Sequence, residues 1–498
     1  MRQTARDRDA AEEMRSRRRS KADDMVYDEQ KRGNRQIFII TYFFVALFLG
    51  MMVYITVFMV RDSADIINNS YNKRQEVLAK KVKRGKILSS DGRVLVKTIT
   101  DKKGNDKRYY PYNNMFCHVI GRITNSMTGV ELSQCYPLLT SHANPLEQLM
   151  DNFKGKKKPG DNVVTTINYK LQKTAYDALG SYRGAVVAME PSTGKILAMV
   201  SKPDYNPNTV GKDWNKLISG GDGNSALLNR ATQGIYPPGS TFKILTAAEY
   251  IIENGSKYKN YKYVCKGTDE FYGNKISCYG GEVHGKVNLN RAFSESCNGA
   301  FANIGLKLNT DSFKSLCEKF GFNRELSVNF EYKKSSFVLN GKSDKGEIMQ
   351  TAIGQGKTGI TPLENVLISS TIANKGKMMV PYVIDHTESD SGKQVKKYSP
   401  KSAGKIIDKS VAVSVKNLMK SVVKDGTASS LNGFSYRVAG KTGSAEFDSK
   451  GTSHAWFVGF APADNPKIAV SIVVESAGTG SRYAVPIAEK MFREYIGD

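Results

Sequence analysis

Histidine and cysteine are both scarce in this sequence. Its 498 residues include five histidines, His118, His142, His284, His386 and His454, and no two stand at a metal-ligand spacing. Six cysteines are too few for a disulfide scaffold in a chain of this length. No internal repeat or low-complexity tract occurs beyond the N-terminal region, so a solenoid or fibrous array is excluded. Long hydrophobic runs are limited to one, which excludes a multi-spanning membrane protein.

That one run is Ile37 to Val60, 24 residues without a charged side chain. At 1.5 Å per residue it is long enough to cross a bilayer core. Residues 1–36 carry 11 Lys/Arg and 8 Asp/Glu, with Lys31, Arg32 and Arg35 beside the apolar segment, so the N-terminus is expected in the cytoplasm. No small-residue cleavage site lies between Thr56 and Ser63, which reads as a retained anchor. Everything after Arg61 is then expected outside the cytoplasm. The overall charge is +25, of which +22 lies beyond residue 36 (62 Lys/Arg, 40 Asp/Glu). On an extracytoplasmic segment this points to anionic wall polymers or lipid headgroups, or simply a solvated basic surface, and not to nucleic acid.

Four segments follow. Residues 1–36 read as a charged, disordered tail and 37–60 as the transmembrane anchor. Residues 61–161 begin with a helix-prone stalk, Asp62 to Lys81, and continue as short strands and turns. A hairpin signal, Asp91-Gly92, stands between "GKIL" and "RVLV". The "KGKKKPGD" stretch at 154–161 reads as a linker to a larger unit, 162–498. There "GAVVAMEPSTGKILAMVS" (184–201) is strand, turn, strand. "RVAGKTGSAEF", "HAWFVGFAP" and "KIAVSIVVES" are three more strands, and 484–496 is an amphipathic helix. Thr361-Pro362-Leu363-Glu364 is a capping box opening a helix that Gly376 closes. The expected class is α+β: an antiparallel sheet flanked by helices, plus a helical subdomain.

Three local patterns carry chemistry. In "YPPGSTFKI" (236–244), Pro237, Pro238 and Gly239 force a turn, and a helix follows as far as Gly255. Ser240 sits at the helix start, where free N–H groups favour developing negative charge. Lys243 lies one turn on, and burial beside a hydroxyl lowers a lysine pKa enough for it to act as a base. Ser-x-x-Lys also occurs at Ser70, Ser256, Ser402 and Ser421, so spacing alone also fits a serine N-cap with a solvated lysine. Ser296-Cys297-Asn298 offers a hydroxyl and an amide two residues apart. Lys-Thr-Gly occurs twice. Lys357-Thr358-Gly359 lacks the first glycine of a phosphate loop, since Thr351 stands there, and reads as the loop before the capped helix. Lys441-Thr442-Gly443 lies on a strand, where lysine and hydroxyl can bind a carboxylate and Gly443 gives room for a substrate backbone.

Ser-x-x-Lys, Ser-x-Asn and Lys-Thr-Gly in this order resemble the active-site motifs of the penicillin-binding proteins and serine β-lactamases. "NRATQGIYPPGSTFK", "GQGKTGITPLE", "KTGSAE" and "HAWFVGFAP" resemble the family's surrounding segments. "KRGKILSSDGRVL" (83–95) resembles the start of its mostly β pedestal, a dimerisation-like domain. The resemblance is to class B penicillin-binding proteins, monofunctional peptidoglycan D,D-transpeptidases. It implies that Ser240 attacks the D-Ala-D-Ala end of a stem peptide and that Lys243 takes its proton. Ser296 and Lys441 would protonate the leaving D-alanine, and Asn298 would orient the peptide. Lys441 and Thr442 would bind the carboxylate, Gly443 would line the cleft, and the N–H groups of Ser240 and Ser444 would form the oxyanion hole. An acceptor amine resolves the acyl-enzyme. β-Lactams acylate the same serine. No cofactor or metal is implied, and the chemistry needs no histidine triad. A multi-spanning glycan polymerase of the shape, elongation, division and sporulation family is the implied partner, at the cell membrane.

About 100 residues between anchor and catalytic unit leave no room for a glycosyltransferase domain. A D,D-carboxypeptidase or a β-lactamase-type hydrolase keeps the same motifs. A non-catalytic scaffold is disfavoured because Ser240 and Lys243 are both present, and a sensor because 36 residues are too few for a signalling domain. Cys265 and Cys278 flank a polar loop whose closure is sterically easy, so a disulfide is expected between them. Cys117 and Cys135 are also near neighbours, and Cys297 and Cys317 read as buried thiols.

Overall fold

The computed structural model describes residues 2–61, 74–143, 157–219, 225–447 and 451–497. The chain divides into two compact units, 1–69 and 70–498. In the first, Arg2–Arg61 is one continuous helix. The apolar run is therefore helical, and this helix alone among those described has the length and hydropathy to cross a membrane. The charged tail expected to be disordered is helical too. It is rich in Ala, Arg, Glu, Lys and Met, all strong helix formers, and Glu13 pairs with Arg17 one turn on at 2.8 Å. Of the expected stalk, residues 62–73 lie outside the described residues, and Arg74–Lys81 is helical.

The second unit is built on a five-stranded antiparallel sheet. Its strands are β1 (Gly184–Met189), β2 (Ile196–Lys202), β3 (Ala439–Glu446), β4 (Ser453–Ala461) and β5 (Ile468–Val474), in spatial order β3-β4-β5-β1-β2. Every residue of β1, β4 and β5 is buried, so both faces are covered. The helices around it are α1 (Tyr169–Leu179), α2 (Lys243–Asn254), α3 (Asn298–Gly305), α4 (Pro362–Ala373), α5 (Lys409–Asp425) and α6 (Val485–Ile496). Helices α1 and α6 pack on each other and on the sheet. The tail's apolar stripe faces inward as its spacing predicts, burying Ile487, Met491 and Phe492. Helix α4, buried along its whole length, packs over β1, β4 and β5.

A second, six-stranded sheet has the order Gln394–Lys397, Ile384–Glu388, Asn162–Thr165, Ile87–Leu88, Val94–Thr100, Asp106–Tyr109. The sequence places a boundary between residues 161 and 162. The backbone carries this sheet across it, because the buried strand Asn162–Thr165 pairs with Ile87–Leu88 on one side and Ile384–Glu388 on the other. In the expected linker, Lys158–Pro159 pairs with Val82–Lys83, and residues 154–156 lie outside the described residues.

The capping box at α4 forms by halves. Thr361 Oγ1 accepts from the Glu364 N–H at 3.0 Å, as expected. The return bond is replaced, since the Thr361 N–H goes to Ser335 Oγ at 3.1 Å. The Glu364 carboxyl turns inward against Gly321, and burial pushes its pKa up to about 8. Its unfolded value is near 4.5. Folding therefore keeps a proton that the unfolded chain has lost, and stability falls as pH rises from about 4.5 to 8. Glu364→Gln is expected to flatten that fall and to raise stability at pH 7.5 by on the order of 2 kcal/mol. Thermal unfolding of both proteins from pH 5 to 8 is the check, and parallel curves would contradict it.

Candidate active site

The turn that carries Ser240 is held from three sides. Ahead of it, Tyr236 OH and Arg230 Nε donate to Glu475 Oε1 at 2.8 and 2.7 Å, and Arg183 Nε donates to Oε2 at 3.0 Å. Burial alone would raise the Glu475 pKa, but these donors hold it below the usual carboxylate range. Trp456 Nε1 on β4 donates to Pro237 O at 3.2 Å. The Gly239 N–H donates to Gly354 O at 2.8 Å. At Gly354, with φ +81°, a Cβ would stand 1.9 Å from Gly239 O, so only glycine permits the approach. Gly239–Phe242 is a 3-10 turn running into α2. Ser240 thus lies just ahead of the α-helix proper, in the turn where backbone N–H groups lack intrahelical partners.

Lys243, the first residue of α2, is fully buried. Its Nζ donates to Ser296 O at 2.7 Å, Asn298 Oδ1 at 2.7 Å and Ser296 Oγ at 3.2 Å. Three acceptors match the three protons of an ammonium group. Burial lowers its pKa to about 8, against the smaller opposing pull of Cys297 and Cys278. Among the described residues no hydrogen bond joins Lys243 to Ser240. The lysine is anchored instead on the Ser-x-Asn loop, where Ser296 adopts φ +59° and Asn298 starts α3. A positive φ at a non-glycine residue is a strained conformation of the kind concentrated at functional sites.

Strand β3 forms the opposite wall. Lys441, Gly443 and Ser444 pair with Val458, Trp456 and Ala455 of β4. Lys441 is fully buried behind the wall, where Nζ donates to Thr442 O at 3.1 Å. Desolvation first, and the neighbouring Lys243 charge second, put its pKa well below the usual lysine value. Thr442 Oγ1 bonds Thr427 Oγ1 at 2.5 Å. A Cβ at Gly443 would stand 3.2 Å from Thr241 Cγ2 and Trp456 Cβ, so glycine there also lets the Ser240 turn come close.

Ser240, Ser296, Asn298, Thr442, Gly443 and Ser444 line one cleft of about 510 Å³. It also takes in Gln350, Gln355, Thr427, Glu446 and Thr479–Ser481, which the sequence reading missed. His284, remote from every motif in sequence, lines it as well. The duplicate Lys357 lies elsewhere, 81% exposed and 3.8 Å from Glu347. Lys441→Ala is therefore expected to slow acylation by at least about 100-fold, and Lys357→Ala by no more than about twofold. Equal losses in a stopped-flow penicillin assay would mean that the wrong copy faces the cleft.

The expected Cys265–Cys278 disulfide is not formed. All six cysteines are free and buried, and these two sulfurs stand 3.7 Å apart. Cys265 ends a strand paired with Gly285–Asn288, Cys278 ends the hairpin Thr268–Phe271/Asn274–Ser277, and Cys297 enters the same space from the Ser-x-Asn loop. Each sulfur has other polar neighbours to meet, which a two-residue reading of the loop does not anticipate.

The family described as penicillin binding protein transpeptidase domain matches residues 184–496. The chain belongs to this family. It is 32% identical over 432 residues to the peptidoglycan D,D-transpeptidase PbpA of Mycolicibacterium smegmatis, covering 81% of this chain and 87% of that one. It is 27% identical to the stage V sporulation protein D of Bacillus subtilis, over 88% of this chain and 72% of the relative. Among solved structures, the ceftriaxone acyl-enzyme of penicillin-binding protein A from M. tuberculosis superposes with a TM-score of 0.77. That likeness has 30% identity and covers 84% of this chain and all of the other. Residues of all three motifs line a single cleft of this chain.

Proposed function

We propose that this chain is a membrane-anchored class B penicillin-binding protein, a peptidoglycan D,D-transpeptidase that β-lactams acylate at Ser240. The observation that carries the reading is the three-point grip of Lys243 Nζ on Ser296 and Asn298 beside the Ser240 turn. Loss of one proton from Lys243 leaves a lone pair that takes the Ser240 hydroxyl proton as Oγ attacks. Lys243 then donates a proton to Ser296 Oγ, 3.2 Å away, and Ser296 passes its own hydroxyl proton to the leaving D-alanine nitrogen. The N–H groups of Ser240 and Ser444 take the oxyanion of the tetrahedral intermediate. Asn298 orients the stem peptide. The Thr442 and Thr427 hydroxyls offer its carboxylate hydrogen bonds at the surface, while buried Lys441 acts from behind as a proton relay and a nearby charge. An acceptor amine from a neighbouring strand resolves the acyl-enzyme.

In this reading helix Arg2–Arg61 crosses the membrane once with the N-terminus in the cytoplasm, as the basic flank favours. The sheet around Ile87–Tyr109 serves as the pedestal that holds the cleft near nascent glycan. A multi-spanning glycan polymerase is the partner that supplies it.

The fate of the acyl adduct tests the reaction class. Full-length chain in detergent is treated with penicillin and followed by intact mass. A transpeptidase cleft disfavours activated water, so the adduct is expected to persist for many minutes. With a peptide ending in D-Ala-D-Ala, turnover is expected to rise when a D-amino acid is supplied as acceptor. Adduct loss within seconds in plain buffer would make the enzyme a hydrolase.

A further inference from the structure

One buried cation has no carboxylate to meet it. Arg122 is 6% exposed, and a guanidinium stays charged in a folded protein. Among the described residues it belongs to no salt bridge, whereas Arg84 and Arg108 hold the buried Glu131 at 2.8 and 2.6 Å. Asp204 is taken by Asn114 Nδ2 at 2.9 Å and Tyr176 OH at 2.8 Å. What Arg122 has instead is neutral. Its Nη1 donates to Tyr205 OH and its Nη2 to Asn125 O, both at 3.2 Å. The guanidinium carbon stands 5.3 and 5.4 Å from the ring centres of Tyr205 and Trp214. Ring faces offset only part of what a buried ion loses on leaving water. The third nitrogen, Nε, is buried and has no hydrogen-bond partner among the described residues.

Arg122 and Thr128 line one cavity of about 60 Å³. Thr128 Oγ1 is buried and likewise without a partner among the described residues. A charged N–H and a hydroxyl thus border a space to which the chain brings no buried anionic acceptor. Glu331, the one carboxylate on the lining, is exposed to solvent. His118 lines the cavity too. Its Nε2 bonds Ala226 O at 2.8 Å, its Nδ1 bonds Cys117 Sγ at 3.3 Å, and burial lowers its pKa to about 4. It is therefore neutral and adds no second cation. A water molecule takes up about 30 Å³ in the liquid, so the cavity has room for about two bodies of that size. A monatomic anion and one water fit, and a tetrahedral oxyanion with its four oxygens does not. Two waters alone would fill the space and leave the charge unmatched.

We propose that the cavity beside Arg122 binds one chloride ion, held by the Arg122 Nε–H and the Thr128 hydroxyl. The ion sits at a seam of the fold. Arg122 and Thr128 come from the segment between the two sheets' first strands, Met199 from β2, Ile384 from the six-stranded sheet, and Asn229 and Gln233 from the short helix that leads into the Ser240 turn. An anion there draws these elements onto one point and supplies the charge that burial of Arg122 requires. It is a structural ligand and takes no part in acyl transfer, so the site does not depend on the transpeptidase reading.

The test uses the full-length chain in detergent, exchanged into sodium gluconate, whose anion is too large for the cavity, and titrated with sodium chloride at constant ionic strength. The unfolding temperature is expected to rise by a few degrees and to saturate, as a single bound ligand dictates. Arg122→Met should show no such saturable rise, and Thr128→Val, of the same shape, should weaken the chloride response about tenfold. Should Arg122→Met fail to fold, fluorescence of the unaltered chain decides. Trp214 stands against the Arg122 guanidinium, and the chain's one other tryptophan is the buried Trp456. Bromide, a heavy ion of nearly chloride's size, should quench the emission saturably, and added chloride should restore it. Equal unfolding temperatures in chloride and gluconate would overturn the proposal, since water alone would then fill the cavity. So would a chloride response undiminished in Arg122→Met, bromide quenching that chloride does not reverse, or phosphate stabilising the chain as well as chloride does.

Discussion

Ser240→Ala is expected to abolish covalent penicillin labelling of the full chain while leaving it folded. The side chain is half-buried in a 3-10 turn held by backbone bonds and by its neighbours' side chains. Removing one hydroxyl therefore costs little structure. The turn stays pinned through Gly239 to Gly354, Pro237 to Trp456 and Tyr236 to Glu475. What goes is the one protein atom that, in the proposed chemistry, bonds to the acyl carbon. Gel fluorescence after exposure to labelled penicillin, with peptide mapping, is the measurement. An adduct on any other serine would overturn the assignment, and the melting temperature controls for folding.

Lys243→Ala is expected to slow acylation by about 10² to 10⁴-fold, the usual worth of a positioned base. The pH profile discriminates between roles. With its pKa lowered to about 8, Lys243 is mostly protonated at neutral pH. Acylation of the unaltered chain should then rise roughly tenfold from pH 7 to 9 and level off. Lys243→Arg keeps the positive charge but stays protonated throughout, so it should be slow and flat over that range. The same group leaves a mark on stability. Its folded pKa lies below the ordinary lysine value, so the unfolded chain binds the extra proton, and stability rises with pH between about 8 and 10.5. A pH profile that survives in Lys243→Arg would assign the titration to another group.

The three motifs were legible because each is local. Three or four residues on one turn or strand carry it, and their order along the chain is specific. Ser240, Lys243, Ser296, Asn298 and Thr442–Ser444 accordingly meet around one cleft. Features set by tertiary neighbours were not legible. Thr427 joins Thr442 only because the segment after α5 passes β3. Glu364 has the spacing of a capping box, yet Ser335 takes the backbone bond and the carboxyl goes inside. The strand Asn162–Thr165 looks like the start of a new domain, but both its edges are taken by distant strands. Cys265 and Cys278 suggest a bridge until Cys297 and His284 arrive from elsewhere in the fold. Gly443 reads as room for substrate, and the sequence does not tell that the Ser240 turn approaches it too.

The contact between Gly239 and Gly354 limits how such an enzyme can evolve under antibiotic pressure. Any side chain at Gly354 would collide with the backbone of the nucleophile turn, and one at Gly239 would press on Ser444 and Ala445. In the proposed chemistry, selection for slower acylation by drug is therefore expected to leave Gly239 and Gly354 alone. Accessible variation falls on the rim, at positions such as Gln350, Gln355 and Tyr279, which line the cleft outside the Ser240 turn. Resistant descendants of this sequence should be altered at the doorway, with the Ser240 turn and the glycines behind it unchanged.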